Sequence, residues 1–242
     1  MLGKQSIQFE RKPYIISSAS IVGSKEAEGP MGELFDKVGY DDSFGAENWE
    51  EAESRLQKEA LEIAISKAGL TKQDIQMVFA GDLLGQSIAS SFGLAGYQLP
   101  HVGLYGACST MGESLLAGAV LVDGGYADHV LTITSSHFAG AEKQFRFPLA
   151  YGNQRPMAAT WTVTGSGAVI LSRQPGKYNV RLLGATMGRV IDYGVKDSMN
   201  MGACMAPAAC DTIYRHLKDF GLKPEHYDRI VTGDLGVVGK EI

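Results

Sequence analysis

Cysteine is scarce in this chain: its 242 residues include three, Cys108, Cys204 and Cys210, with no C-x-x-C spacing. That excludes a disulfide framework and a structural zinc site, and fits a reducing compartment. Basic runs are missing too. Arg11-Lys12 is the only adjacent pair of Lys or Arg, and 22 Lys plus Arg stand against 27 Asp plus Glu, a formal net charge of -5. A chain that neutralises phosphates needs a basic face, so nucleic acid is not an expected partner. No G-x-x-x-x-G-K-[ST] loop occurs. The start, Met1 to Phe9, carries Lys4 and no apolar run, so neither a secretory signal nor a transmembrane segment is expected. Residues 83–112 lack Asp, Glu, Lys and Arg, but Gly85, Gly93, Gly96, Pro100, Gly103 and Gly106 break the stretch. It reads as buried core rather than a membrane span.

What is present points to a globular chain. Hydrophobic residues make up 45%, and there are 30 Gly, well above the roughly 7% that is usual, as many tight turns require. The length suits one large or two small domains. An internal repeat organises it. Gly69 to Leu83 aligns without a gap on Gly221 to Leu235, and Gly, Leu and the closing Gly-Asp-Leu recur at identical places. Each copy follows a helical stripe, Trp49, Ala52, Leu56, Ala60 and Ile63 in the first and Ala209, Ile213, Leu217 and Phe220 in the second. Gly69 and Gly221 then read as C-terminal caps. After each cap an apolar run, Ile75 to Ala80 or Arg229 to Thr232, predicts a buried strand. Similarity of two ordinary helix–strand connections is the alternative to a true duplication.

Between the copies the pattern predicts a strand at Tyr14 to Ile21, a helix at Ser87 to Gly96, and a strand at His101 to Tyr105. A tight turn at Gly106 to Ser109, a helix at Met111 to Val122 and a strand at Val130 to Thr134 follow. Further strands are expected at Thr160 to Leu171 and Val180 to Thr186. The result is an α/β fold with a mostly parallel sheet and helices on both faces. Residues 1–175 form a first half and residues 176–242 the start of a second. The position equivalent to Cys108 in the second copy would fall beyond Ile242, so either the chain is a fragment or the duplicate is truncated.

Cys108 is predicted at the junction of a buried strand and a buried helix. There a helix N-terminus lowers a thiol pKa and its N–H groups meet an oxyanion or an anionic ligand. A small core residue in a tight turn is the alternative. Of five His, only His137 is well placed as a partner. It follows Ser135-Ser136 at the expected end of the strand next to that of Cys108, and a structural His is the competing reading. Lys143 to Pro148 and Tyr151 to Pro156 mix aromatic rings with Arg146, Arg155 and Asn153 in an expected loop. That loop suits a pocket for a flat anion, or equally a surface loop or subunit contact. Gly165-Ser166-Gly167 reads as close backbone packing rather than a phosphate site.

The elbow Tyr105-Gly106-Ala107-Cys108-Ser109-Thr110, the run Thr164 to Ile170 and the duplicated unit resemble the thiolase and ketoacyl-synthase superfamily. Gly81-Asp82-Leu83, Thr134-Ser135-Ser136-His137, Gln144-Phe145-Arg146, Gly188 to Asp192 and Met205 to Ala209 narrow the likeness to the stage V sporulation protein AD family of spore-forming bacteria. The resemblance implies a thiolase-like layered α-β-α-β-α fold whose second half is incomplete here. It implies a non-catalytic role: binding dipicolinic acid, free or as its calcium chelate, for uptake into the forespore and release at germination. In condensing relatives the loop equivalent to Thr232-Gly233-Asp234 supplies a catalytic His, and this sequence has none there. Cys108 is then a vestigial nucleophile, and the expected ligand contacts are Cys108, Ser136, His137, Arg146, Asn153 and Arg155, with no metal site or cofactor. Implied partners are membrane proteins of the same sporulation operon and, by analogy, a second copy, with a soluble or peripheral location at the spore inner membrane. An acyl-CoA or acyl-carrier condensing enzyme using Cys108, and a structural scaffold for membrane partners, are the alternatives.

Overall fold

A computed structural model of the chain describes residues 1–145, 156 and 158–242. The elements begin with β1 (Ser6–Gln8), β2 (Tyr14–Val22), α1 (Ser24–Ala27), β3 (Lys37–Val38), α2 (Trp49–Ala68), β4 (Met77–Asp82), α3 (Ile88–Leu94) and β5 (His101–Leu104). They continue with α4 (Thr110–Gly124), β6 (His129–Ser136), α5 (Phe138–Phe145), β7 (Gly165–Ser172), β8 (Val180–Arg181), β9 (Gly184–Thr186), α6 (Met201–Phe220) and α7 (Gly236–Glu241). The described residues of Glu10–Leu149 and Thr162–Leu182 make one compact unit, and those of Met1–Phe9, Ala150–Trp161 and Leu183–Ile242 a second.

The larger unit is built on a sheet of order β3-β2-β7-β6-β4-β5, with β8 also pairing β2. β4 is parallel to β5 and β6, and β2 to β3, but β7 runs antiparallel to both β2 and β6. The sheet is therefore mixed, not mostly parallel. Ser136 at the end of β6 pairs with Gly165 at the start of β7, so the chain re-enters from the end it left and needs no crossover.

Alternation along the strands places helices on both faces, as expected. Leu131 and Ile133 of β6, Ala168 and Ile170 of β7, Ala19 and Ile21 of β2 and Val78 and Ala80 of β4 share a core with Leu56, Ala60, Leu61 and Ala64 of α2. On β4, β6 and β7 their neighbours in sequence point the other way, toward α4. A Cβ on Gly118 of α4 would stand 3.0–3.1 Å from Leu171, Thr132 and Val130, so glycine there lets the helix lie close on the sheet. The N-terminus of α2 is capped by Asn48, whose Oδ1 accepts from the Glu51 N–H at 2.8 Å.

Both predicted glycine caps form. Gly69 has φ 67 and Gly221 φ 65, and the next residues, Leu70 and Leu222, donate N–H to Ile65 at 3.1 Å and Leu217 at 2.8 Å. This is the bonding of a helix ended by a left-handed residue. In the smaller unit α6 packs against β1 and β9, which pair antiparallel. The strand expected at Arg229 to Thr232 is absent. That segment is irregular and Val231 is 87% exposed. β1 and β9 bond to each other, and no described strand lies alongside the segment to supply the ladder that would define it. The single strand expected over Val180 to Thr186 is likewise two short ones, β8 and β9, one in each unit.

Candidate functional site

Cys108 sits in a single 3-10 turn, Ala107–Ser109, between β5 and α4. Ala107 has φ 48, a left-handed conformation that costs a residue with a Cβ on the order of 1 kcal/mol. Local bonds hold the turn against that cost. The Gly106 N–H donates to Thr110 Oγ1 at 3.2 Å, the same hydroxyl donates to the Ala107 carbonyl at 2.8 Å, and the Ser109 N–H donates to the Gly106 carbonyl at 3.0 Å. Thr110 is buried. Beneath it lies Gly81 of β4, where a Cβ would stand 2.4 Å from both the Leu104 carbonyl oxygen and Thr110 Cγ2. The fold thus presses β4 against both ends of the elbow.

The thiol of Cys108 is exposed. β5 is not the buried strand expected: His101, Val102 and Gly103 are exposed, because β5 is the sheet edge and has β4 as its one neighbour. Stretches 88–92 and 101–105, expected as core, likewise carry exposed Phe92, Val102 and Tyr105. At the first turn of α4, Ser109 Oγ donates to Glu113 Oε1 at 2.5 Å. This exposed carboxylate beside the turn was not anticipated, although its spacing, four residues after Ser109, was visible.

His137 occupies a different setting. β4 stands between β6 and β5, so the Ser136–His137 end is not in the strand next to that of Cys108. His137 is fully buried and stacked on Trp49, with centroids 5.1 Å apart, and on Phe138 at 5.4 Å. The Asp42 carbonyl can only accept, so Nε2 carries the proton and donates to it at 2.8 Å, while Nδ1 accepts from the Gly140 N–H at 3.4 Å. Burial pushes the imidazole below its usual pKa, opposed by the Asp42 carbonyl. Both ring nitrogens are therefore hydrogen-bonded within the chain. Ser136 spends its proton on the Val163 carbonyl at 2.5 Å. The segment expected as a loop begins inside α5: Lys143 pairs with Glu50, and Gln144 Oε1 accepts from the Gly85 N–H at 2.9 Å. Arg146, Asn153 and Arg155 lie outside the described residues. Cys204 and Cys210 are exposed on α6.

A buried polar network between α2 and the ends of β4 and β6 also went unanticipated. Gln57 Nε2 lies 2.8 Å from Ser135 Oγ and 3.0 Å from Ser90 Oγ; these hydroxyls donate to Glu53 Oε1 at 2.7 Å and Asp82 Oδ2 at 2.5 Å. Burial first, then the nearby Asp82 charge, raises the Glu53 carboxyl to about 8 against the Ser135 hydrogen bond. Glu53 and Gln57, four apart on the apolar stripe of α2, were the signal in the sequence. No group of three or more His, Cys, Asp or Glu placed to hold a metal occurs among the described residues.

Known proteins match this chain along nearly its whole length. The family model for Stage V sporulation protein AD (SpoVAD) matches residues 3–242. Stage V sporulation protein AD of Bacillus subtilis (strain 168) is 45% identical over 243 residues, which cover 100% of this chain and 71% of that protein. Among solved structures, a variant of Xanthomonas campestris OleA superposes with a TM-score of 0.65 at 13% identity, covering 97% of this chain and 82% of its own. The 3-oxoacyl-(acyl carrier protein) synthase III, FabH, of Xanthomonas oryzae pv. oryzae gives 0.64 at 13% identity, with 97% and 81% covered. These likenesses are to the fold alone. The chain belongs to the stage V sporulation protein AD family and carries the α/β fold of the thiolase-like condensing enzymes.

Proposed function

We propose that the chain binds dipicolinic acid, pyridine-2,6-dicarboxylic acid, at the Cys108 elbow, and takes part in its uptake into the forespore and its release at germination. One observation carries this reading: Cys108 is exposed in the turn between β5 and α4, yet the loop Thr232-Gly233-Asp234, where the resemblance places a catalytic His, has a carboxylate and no His. A carboxylate there adds negative charge where an enolate develops it, the opposite of what condensation needs. A thiol kept without that His suits a site that binds rather than reacts.

Glu113 refines the ligand. Its exposed carboxylate beside the elbow repels a free dianion and tolerates the calcium chelate, in which the metal offsets the ligand charge. Arg146, Arg155 and Asn153 are the proposed polar contacts, Cys108 lies against the ring, and His137 and Ser136 support the end of β6. No described helix is long and apolar enough to cross a membrane. Passage across a bilayer is proposed to fall to partners, the membrane proteins of the same operon at the spore inner membrane. A second copy is proposed along the exposed edge β5.

Site-resolved alkylation tests the assignment, with Cys204 and Cys210 as internal controls. Calcium dipicolinate is expected to slow iodoacetamide labelling of Cys108 and leave the other two unchanged. Equal labelling of Cys108 with and without ligand removes it from the site. A stable thioester on Cys108 after exposure to an acyl-CoA would favour the condensing-enzyme reading instead, which the exposed thiol on a strained elbow also permits.

A further inference from the structure

The network between α2, β4 and β6 has a carboxyl at each end and no cation among its members. Asp82 accepts from the Leu84 N–H at 3.0 Å, the Ser90 N–H at 2.7 Å and Ser90 Oγ at 2.5 Å. Glu53 Oε1 accepts from Ser135 Oγ at 2.7 Å, and the His137 N–H also faces the carboxyl and favours its charged form. Glu53 and Gln57 are both fully buried, and each has one oxygen without a partner, Glu53 Oε2 and Gln57 Oε1. Two orphaned acceptors one helical turn apart cannot satisfy each other. Adding a proton to Oε2 would turn one of these acceptors into a donor.

We propose that Glu53 is a proton-binding site, holding a proton on Oε2 that it donates to Gln57 Oε1, and that its loss loosens the packing of α2 on the end of β6. Ionisation would leave two carboxylates in one buried network with no counter-ion among its described members, which a protein interior resists. The movement falls on Ser135 and on the His137 ring that follows it, stacked on Trp49 one turn before Glu53 on α2. Among the described residues, the other charged groups around Glu53 are Glu50 on α2, Asp82 on β4, His137 after β6, and Lys143 and Glu142 on α5, which packs against α2. Lys143 is paired with Glu50. The direction of the Glu53 shift agrees: raised to about 8 from 4.5, chiefly by burial. This site is independent of what the Cys108 elbow binds.

The sign follows from linkage. The folded chain keeps a proton that the unfolded chain releases, so the stability this proton brings is complete below the ordinary Glu range and is lost as pH rises through about 8. The test uses the full chain with Trp161→Phe, leaving Trp49 as its one tryptophan. Trp49 emission and the thermal midpoint are followed between about pH 6 and pH 10, with and without Glu53→Gln. The parent is expected to show a transition in Trp49 emission near pH 8, and a thermal midpoint that falls with rising pH up to about 8 and levels off above it. The Gln variant, which mimics the protonated acid, should lose it and melt roughly 5–10 °C higher at neutral pH. A Gln variant that keeps the transition, or that melts lower at every pH, overturns the proposal. Should that variant fail to fold, infrared spectra of the parent decide: a protonated-carboxyl C=O band present at neutral pH and gone at pH 10 supports it, and no such band at neutral pH refutes it.

Discussion

Gly81→Ala is expected to destabilise the chain by about 1–3 kcal/mol or more and to change the reactivity of Cys108, although Gly81 lies on β4 and Cys108 in the turn after β5. The added Cβ would stand 2.4 Å from the Leu104 carbonyl oxygen and from Thr110 Cγ2, and neither atom is the free end of a flexible side chain. Leu104 closes β5 before the elbow, and Thr110 Oγ1 clamps it by bonding to Gly106 N and Ala107 O. Relief must therefore push β5 or the start of α4 away from β4, with an overpacking cost of roughly 1–3 kcal/mol or more. Urea denaturation gives the stability, and iodoacetamide labelling of Cys108 gives the geometry. Unchanged stability and unchanged labelling together would mean that β4 does not support the elbow.

Leu131→Ala is expected to cost about 2–5 kcal/mol, the range for emptying a fully buried leucine site. Leu131 is in the middle of β6, completely buried, in the core shared with α2. Its neighbours there come from a sheet fixed by hydrogen bonding on both sides, β4 on one and β7 on the other, so the gap cannot readily collapse. The same kind of truncation at Val102, 40% exposed on the edge strand β5, should cost under about 1 kcal/mol. Similar denaturation midpoints for the two variants would contradict the placement of the core.

Local chemistry was legible in the sequence where it alone decides the structure. Gly69 and Gly221 end their helices in the left-handed conformation because a residue without a Cβ does so freely, and Leu70 and Leu222 make the bonds that go with it. The elbow at Ala107–Ser109 was legible as a strand, tight turn and helix in succession. Pairing between distant segments was less so. The direction of β7 depends on Gly165 meeting Ser136, and the apolar run at Arg229 to Thr232 has the composition of a strand without the neighbour that would make it one. Burial misled in both directions: the uncharged stretch through β5 lies at an edge, while Glu53 and Gln57 are sealed in the core. His137 was singled out for its position after a strand, but which way a ring faces and what it bonds are set by Asp42, Trp49 and Gly140. Of these three only Gly140 is close in sequence; Asp42 is 95 residues away and Trp49 lies on α2.

Calorimetric titration of dipicolinic acid, with and without calcium, tests the central claim most directly, with phthalic acid as a benzene dicarboxylate control. Saturable heat is expected for the pyridine compound, stronger with calcium because of Glu113, and none for phthalic acid. No saturable heat, or equal heat from both acids, would contradict it.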